Sequence, residues 1–203
     1  MLTVYAFSTP NSVKVPIALE ELGLPYDLRP VNIRKGEQKA EGYVTLNPNA
    51  KVPLLVDGDL TLPESGAILV HLAEKTGRLL PTDPAARART FEWLFFQLSA
   101  SGPAFGQSGY WQKLATDRNE AAIARYQAEA DRVADVMDAH LARNEWFAGD
   151  AYTIADIAHF GWAWRREFAG VSFDNRPNLA RWYAGMEARP AVQRGIAATL
   201  ALA

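Results

Sequence analysis

Up to about residue 80 the apolar residues of this chain switch between the period of a strand and the period of a helix; beyond it only the helical period survives. LTVYAF (2–7) reads as a strand. SVKVPIALEELG (12–23) reads as a helix, with Ser12 as candidate N-cap, Pro16 close enough to the first turn to be tolerated and Gly23 as the stop. YDLRPVNI (26–33) alternates as a second strand, and Pro30 inside it assigns it to a sheet edge. VPLLVDGDLTLP (52–63) is a hairpin around the Asp57-Gly58 turn signal, and ESGAILVHLAEKTG (64–77) a helix with Ile68, Leu69, Leu72 and Ala73 on one face. A helical crossover makes its two strands parallel, whereas a hairpin is antiparallel. The expected fold is α+β: a mixed four-stranded sheet built as βαβ then ββα, followed by an all-α part.

TGRLLPTDPAAR (76–87) carries the change of composition. Residues 1–80 are expected as the first domain, 81–86 as the linker and 87–203 as the helical domain. Asp83-Pro84 has the form of an N-cap followed by proline at the first helical position. In ARARTFEWLFFQLSA the inward face is expected at Ala88, Phe91, Leu94, Phe95 and Leu98; in the long helix after it, at Ile123, Tyr126, Val133, Met137 and Leu141. Thr153 and Asp156 match a capping box, a folding element, and two further helices close the chain.

The chain has no cysteine, which excludes disulfides, cysteine metal sites and a cysteine nucleophile of its own. His71, His140 and His159 are scattered, so no metal centre is expected. The net charge of −2 offers no pull toward nucleic acid or anionic membrane, and no apolar run spans a bilayer. The start, MLTVYAFSTP, lacks a basic n-region, and a cytoplasmic protein is expected. Thiol chemistry here requires a small molecule that brings the sulfur.

Three stretches point to one ligand. FSTPNSVKV places Ser8, Thr9, Asn11 and Ser12 where a strand hands over to a helix N-terminus, whose amides and dipole favour an anion. KVPLL places Pro53 at a strand entry, where the Val52 backbone can pair with an extended peptide. LPESGAIL places Glu64 and Ser65 before a helix, one suited to an ammonium and the other to a carboxylate. Together they ask for a short peptide with an α-amino acid end and an anionic sulfur or oxygen.

Asn47-Pro48-Asn49-Ala50-Lys51-Val52-Pro53, Glu64-Ser65-Gly66-Ala67-Ile68 and Tyr152-Thr153-Ile154-Ala155-Asp156 give the chain a full-length resemblance to the cytosolic glutathione transferases. The resemblance implies a thioredoxin-like first domain, a cis Pro53, Val52 paired with the cysteinyl backbone of glutathione, and Glu64 and Ser65 on its γ-glutamyl end. Thr9-Pro10-Asn11, with GPAFGQ (102–107) and Ala124-Arg125-Tyr126-Gln127, is similar to the bacterial Nu class. In that class a threonine and an asparagine contact the glutathione sulfur, two glutathiones can bind together, and disulfide reduction exceeds transferase activity. Ser8 departs from that pattern and keeps a delta/theta-like, Ser8-dependent transferase open. Tyr5 is a packing residue by strand alternation.

Lys51 with Gln38 or Asn49 is a candidate for the glycyl carboxylate, a solvated lysine being the other reading, and by the same resemblance Arg132 reaches the neighbouring subunit's glutathione in a homodimer. Arg132 also has Glu129 and Asp135 as pairing partners on its own helix. Phe105, Tyr110, Trp111 and Trp164 are candidates for the second-substrate pocket. The expected activity is disulfide exchange with glutathione as co-substrate, with conjugation to electrophiles second; a non-catalytic glutathione-binding scaffold is the reading from another class.

Overall fold

The structure, a computed structural model, describes all 203 residues and divides into two compact units, Met1–Leu80 with Ala188–Ala203, and Pro81–Glu187. The first unit runs β1 (Leu2–Ala6), α1 (Lys14–Leu22), β2 (Tyr26–Pro30), a 3-10 turn, α2 (Glu41–Leu46), β3 (Leu54–Asp57), β4 (Leu60–Pro63) and α3 (Ser65–Thr76). The sheet order is β2-β1-β3-β4. β1 and β2 are parallel, with Leu2 opposite Tyr26 and Ala6 opposite Pro30, so Pro30 does lie on an edge. β3 is antiparallel to both β1 and β4. Gly58, at φ 60°, takes the left-handed position of the two-residue hairpin turn, a conformation that costs a residue without Cβ nothing. Ile68, Leu69, Leu72 and Ala73 form the buried face of α3 as their spacing requires.

Ser12 is not the cap of α1. The helix starts at Lys14, Val13 holds the cap position, and no side chain caps it. Ser12 is instead fully buried, its Oγ accepting from the Phe7 amide at 3.4 Å and from Thr9 Oγ1 at 2.9 Å. It closes the strand-to-helix turn from inside.

The second unit comprises α4 (Pro84–Phe96), a π turn (Gln97–Ser101), α5 (Gly102–Lys113), α6 (Glu120–Leu141), α7 (Ile154–Trp164), α8 (Arg166–Ala169) and α9 (Pro177–Glu187). Asp83 caps α4 by accepting from the Ala86 amide at 2.9 Å, with Pro84 at the first helical position. The buried face of α4 is Thr90, Trp93 and Leu94, while Ala88 and Phe95 are exposed and Phe91 half-buried. The expected inward set was rotated, because apolar residues lie on both sides of this helix. On α6, Val133, Met137 and Leu141 are buried, and Ile123 and Tyr126 are half-buried. The glycines of GPAFGQSG allow close packing: a Cβ on Gly109 would lie 2.1 Å from the Phe168 ring.

The last helix, α10 (Pro190–Leu200), joins the first unit rather than the helices that precede it in sequence. It lies on α1: a Cβ on Gly195 would come within 2.7 Å of the Ile17 amide nitrogen. Arg189 grips Glu21 through Nε at 2.6 Å and Nη2 at 3.0 Å, and Arg194 reaches Glu20 at 2.6 Å. Helical spacing announces a helix but not its neighbour. Gly195→Ala is therefore expected to cost about 1–3 kcal/mol by overpacking, read as a lower urea midpoint.

Candidate active site

The turn between β1 and α1 is folded by its own small polar groups. The Thr9 amide donates to the Phe7 carbonyl at 2.7 Å, which places Ser8 at the centre of a three-residue turn. The Val13 amide donates to the Thr9 carbonyl at 3.1 Å. Thr9 Oγ1 accepts from the Ser12 amide at 3.1 Å and donates to Ser12 Oγ at 2.9 Å. Hydroxyl protons rotate, so when Ser12 donates within this pair the Thr9 proton is available to an anion outside the turn. Ser8, Thr9 and Asn11 are all half-buried, between solvent and the core beneath.

Beneath them lies a residue that the sequence reading passed over. Lys14 is fully buried, and its Nζ donates to Asn11 Oδ1 at 3.0 Å and to Ser65 Oγ at 3.5 Å. One side chain thus links a residue expected at the sulfur to one expected at the γ-glutamyl end, the latter 51 positions from Lys14. Burial pushes the Lys14 pKa down to about 7, with Glu64 pulling it back up. The signal was present: VKVPIAL holds a single cation inside an apolar run.

Glu64 occupies the N-cap position of α3 at φ 71°, a left-handed backbone for a residue with a Cβ. Such a conformation costs on the order of 1–3 kcal/mol and persists where surrounding structure enforces it. It leaves the Glu64 side chain exposed while Ser65, at the start of α3, is 5% exposed. The Val52-Pro53 bond is cis. The Lys51 carbonyl just before it is held by Tyr43 Oη at 2.6 Å and Asn47 Nδ2 at 2.7 Å, and Asn47 Oδ1 accepts from the Asn49 amide at 3.1 Å. Tyr43 and Asn47, neither singled out from sequence, therefore set the backbone of the 47–53 loop. Tyr5 packs edge-on against Tyr43 with centroids 6.2 Å apart, the packing role its alternation assigned.

The remaining candidates scatter. Asn49 and Lys51 are exposed, and Gln38 Oε1 is buried without a hydrogen-bond partner. Arg132 is exposed on α6 and pairs with Glu129 through Nε at 2.8 Å and Nη2 at 2.7 Å, so of its two possible helix partners it takes Glu129. In the second unit Phe105 is fully buried in the packing of α5 and offers no surface to a second substrate. Tyr110 is 45% exposed and stacks edge-on against Trp111, whose Nε1 is buried without a hydrogen-bond partner. Trp164 is half-buried beneath the Arg165 guanidinium, 4.2 Å from its ring centroid. No group of three or more His, Asp or Glu side chains is placed to hold a metal ion, and no helix is long and apolar enough to cross a membrane.

A neutral hydrogen-bonding turn over a buried cation, next to a strand entry and a helix N-terminus, can hold a peptide thiol as its anion. The family models for the glutathione S-transferase N-terminal and C-terminal domains match residues 1–74 and 93–190. The chain is 37% identical over 205 residues to the disulfide-bond oxidoreductase YfcG of Escherichia coli K12, covering 97% of this chain and 94% of the relative. Among solved structures it is similar to a glutathione transferase family member from Pseudomonas fluorescens with two glutathione bound, at TM-score 0.91, 41% identity and coverage of 96% and 92%. It is also similar to a glutathione transferase from Pseudomonas putida with one glutathione disulfide per subunit, at TM-score 0.89, 39% identity and coverage of 96% and 90%. With a thioredoxin-like first unit and a helical second part, matched along nearly its whole length, the chain belongs to the glutathione transferase family.

Proposed function

We propose that this protein binds glutathione as its thiolate through Asn11 and Thr9 and uses it chiefly for disulfide exchange, with conjugation to electrophiles as a second activity. The observation that carries the reading is the Asn11 amide held from behind by Lys14. A thiol of pKa near 8.5 is mostly protonated at neutral pH, and the thiolate is the nucleophile. Lowering that pKa by about one to two units needs roughly 1.4–2.7 kcal/mol of preferential stabilisation of the anion. One or two well-aimed hydrogen bonds beside a helix N-terminus supply this without a general base.

In the reaction, the glutathione thiolate attacks one sulfur of a disulfide, a glutathionyl mixed disulfide forms and the other sulfur leaves as thiolate. A second glutathione thiolate then attacks the mixed disulfide at the glutathionyl sulfur, giving glutathione disulfide and the second free thiolate. The bound species in the two Pseudomonas relatives, two glutathione and one glutathione disulfide, match the reduced co-substrate and the oxidised product of that cycle and support the reading.

Val52, Pro53, Glu64 and Ser65 take the peptide and γ-glutamyl parts of the ligand in this proposal, and Gln38, Asn49 and Lys51 the glycyl carboxylate. Tyr110, Trp111 and Trp164 are the candidates for the second substrate. A homodimer fits the stacked pair Phe91 and Phe95 on α4, centroids 5.8 Å apart, with Phe95 59% exposed. In such a dimer Arg132 is the residue to reach the partner subunit's glutathione once released from Glu129.

Ultraviolet titration of the bound thiol, together with turnover of a small hydroxyalkyl disulfide, tests the assignment. Asn11→Ala is expected to raise the thiol pKa by about one to two units and to slow exchange about 10- to 100-fold at neutral pH. Ser8→Ala is expected to leave both near the parent. The reverse result assigns activation to Ser8 and a delta/theta-like transferase. Binding without turnover of either the disulfide or chlorodinitrobenzene identifies a scaffold.

A further inference from the structure

Two charged side chains in this protein are fully buried, Asp156 and Lys14. Asp156 has a folding task, accepting from four donors around the start of α7. Lys14 is placed differently. It stands in the first turn of α1, where the helix dipole is already positive and which carries no acidic residue of its own. Its chain neighbours Val13 and Val15 are fully buried and apolar, an environment in which methionine packs at lower cost. Lys14 reaches Asn11 and Ser65.

We propose that Lys14 is the positioning residue of the sulfur site: its ammonium grips Asn11 Oδ1 so that Asn11 turns its amide N–H end to the glutathione sulfur, and ties that amide to the Ser65 hydroxyl. This rests on the function proposed above and names the device that makes Asn11 work.

The chemistry fixes the direction. Lys14 Nζ faces Asn11 Oδ1 and donates to it, which an amine does with or without its third proton, so the amide nitrogen is the end directed elsewhere. The Ser65 hydroxyl likewise meets Lys14 with its oxygen, and its proton turns toward other acceptors. A single buried cation therefore makes donors of both side chains, one for a thiolate and one for a carboxylate. A methylene chain held in the core cannot swing, so the amide it grips keeps one orientation through each turnover. The positive charge also lies one hydrogen bond behind the amide, polarising its N–H bonds in a site of low dielectric.

The test is the ultraviolet titration of glutathione bound to the intact protein, run on the parent, Lys14→Met, Asn11→Ala, the double variant and Asn11→Asp. Lys14→Met, close in volume and uncharged, is expected to raise the thiolate midpoint by about one unit, about tenfold less thiolate at a given pH below it. In the Asn11→Ala background the same change is expected to add little, because its route through the amide is already gone. Asn11→Asp gives the ammonium a carboxylate partner and so keeps the fold, but removes the N–H donor; its midpoint is expected to rise by more than one unit. A Lys14→Met midpoint equal to the parent's, or full additivity in the double variant, overturns the inference. Should Lys14→Met fail to fold, an unmoved midpoint in Asn11→Asp overturns it and a raised one supports it. A parent with no mercaptide band near neutral pH overturns the function itself, a result distinct from a parent band that Lys14→Met leaves in place.

Discussion

Asp156→Ala is expected to destabilise the helical unit by about 4 kcal/mol, enough to unfold a marginal protein. The carboxylate is fully buried and divides its two oxygens among three segments. Oδ1 accepts from the Phe147 amide at 3.0 Å and from Trp182 Nε1 at 3.0 Å. Oδ2 accepts from the Thr153 amide at 2.9 Å and from Thr153 Oγ1 at 3.3 Å. Removal strands three N–H donors in the interior, each costing about 1–3 kcal/mol, far beyond the roughly 1 kcal/mol of a surface cap. Burial pushes the Asp156 pKa up to about 6, with the four donors pulling it back, so the carboxylate is ionised at neutral pH, as four donors require. Asp156→Asn keeps one acceptor oxygen and sets an N–H2 group against the donors on the other side, so an intermediate loss is expected. Urea unfolding followed by tryptophan fluorescence measures both; an alanine variant with the parent's midpoint would show that water replaces the carboxylate at no cost.

Asp156 also marks where reading a sequence stops. Thr153 and Asp156 are three residues apart, so their reciprocal capping was legible in the spacing alone. That Phe147 and Trp182 converge on the same carboxylate was not, because their donors come from other segments of the chain. The parallel pair β1 and β2, the hairpin and the edge position of Pro30 follow from local periods and turn residues, whereas the order β2-β1-β3-β4 does not, because nothing local sets β3 beside β1. The docking of α10 on α1 does not, since Gly195 shows its purpose only when Ile17 lies against it. The site divides in the same way. Thr9 and Asn11 stand out as polar groups in a strand-to-helix turn, and Glu64 and Ser65 at a helix entry. Ser12 looks like a cap until the helix is seen to begin two residues later, at Lys14. Lys14 itself follows Ser12 and Val13 on what reads as a helix, and a lysine near a helix start is by habit taken as solvated. Only its pairing with Ser65 across 51 residues reveals a buried cation.

That burial carries its own expected result: Lys14→Met stabilises the protein while impairing the site. The folded pKa is about 7 against an ordinary 10.5, because burial disfavours the ammonium more than Glu64 favours it. Between about pH 7 and pH 10.5 the unfolded chain holds a proton that the folded chain has released, so parent stability climbs as pH rises across that window. Below pH 7 both states are charged and the desolvation cost is present in full. Methionine removes that cost, so its advantage over the parent is largest at and below neutrality, up to about 5 kcal/mol, and shrinks toward alkaline pH. Urea midpoints of both proteins at neutral and alkaline pH measure it. If Lys14→Met is the less stable protein at both, the bonds to Asn11 and Ser65 outweigh desolvation, and Lys14 belongs to the fold. If it is the more stable at neutral pH and the slower in disulfide exchange, the ammonium is held against the preference of the core for the sake of the bound sulfur, the trade that sites built on buried charge make.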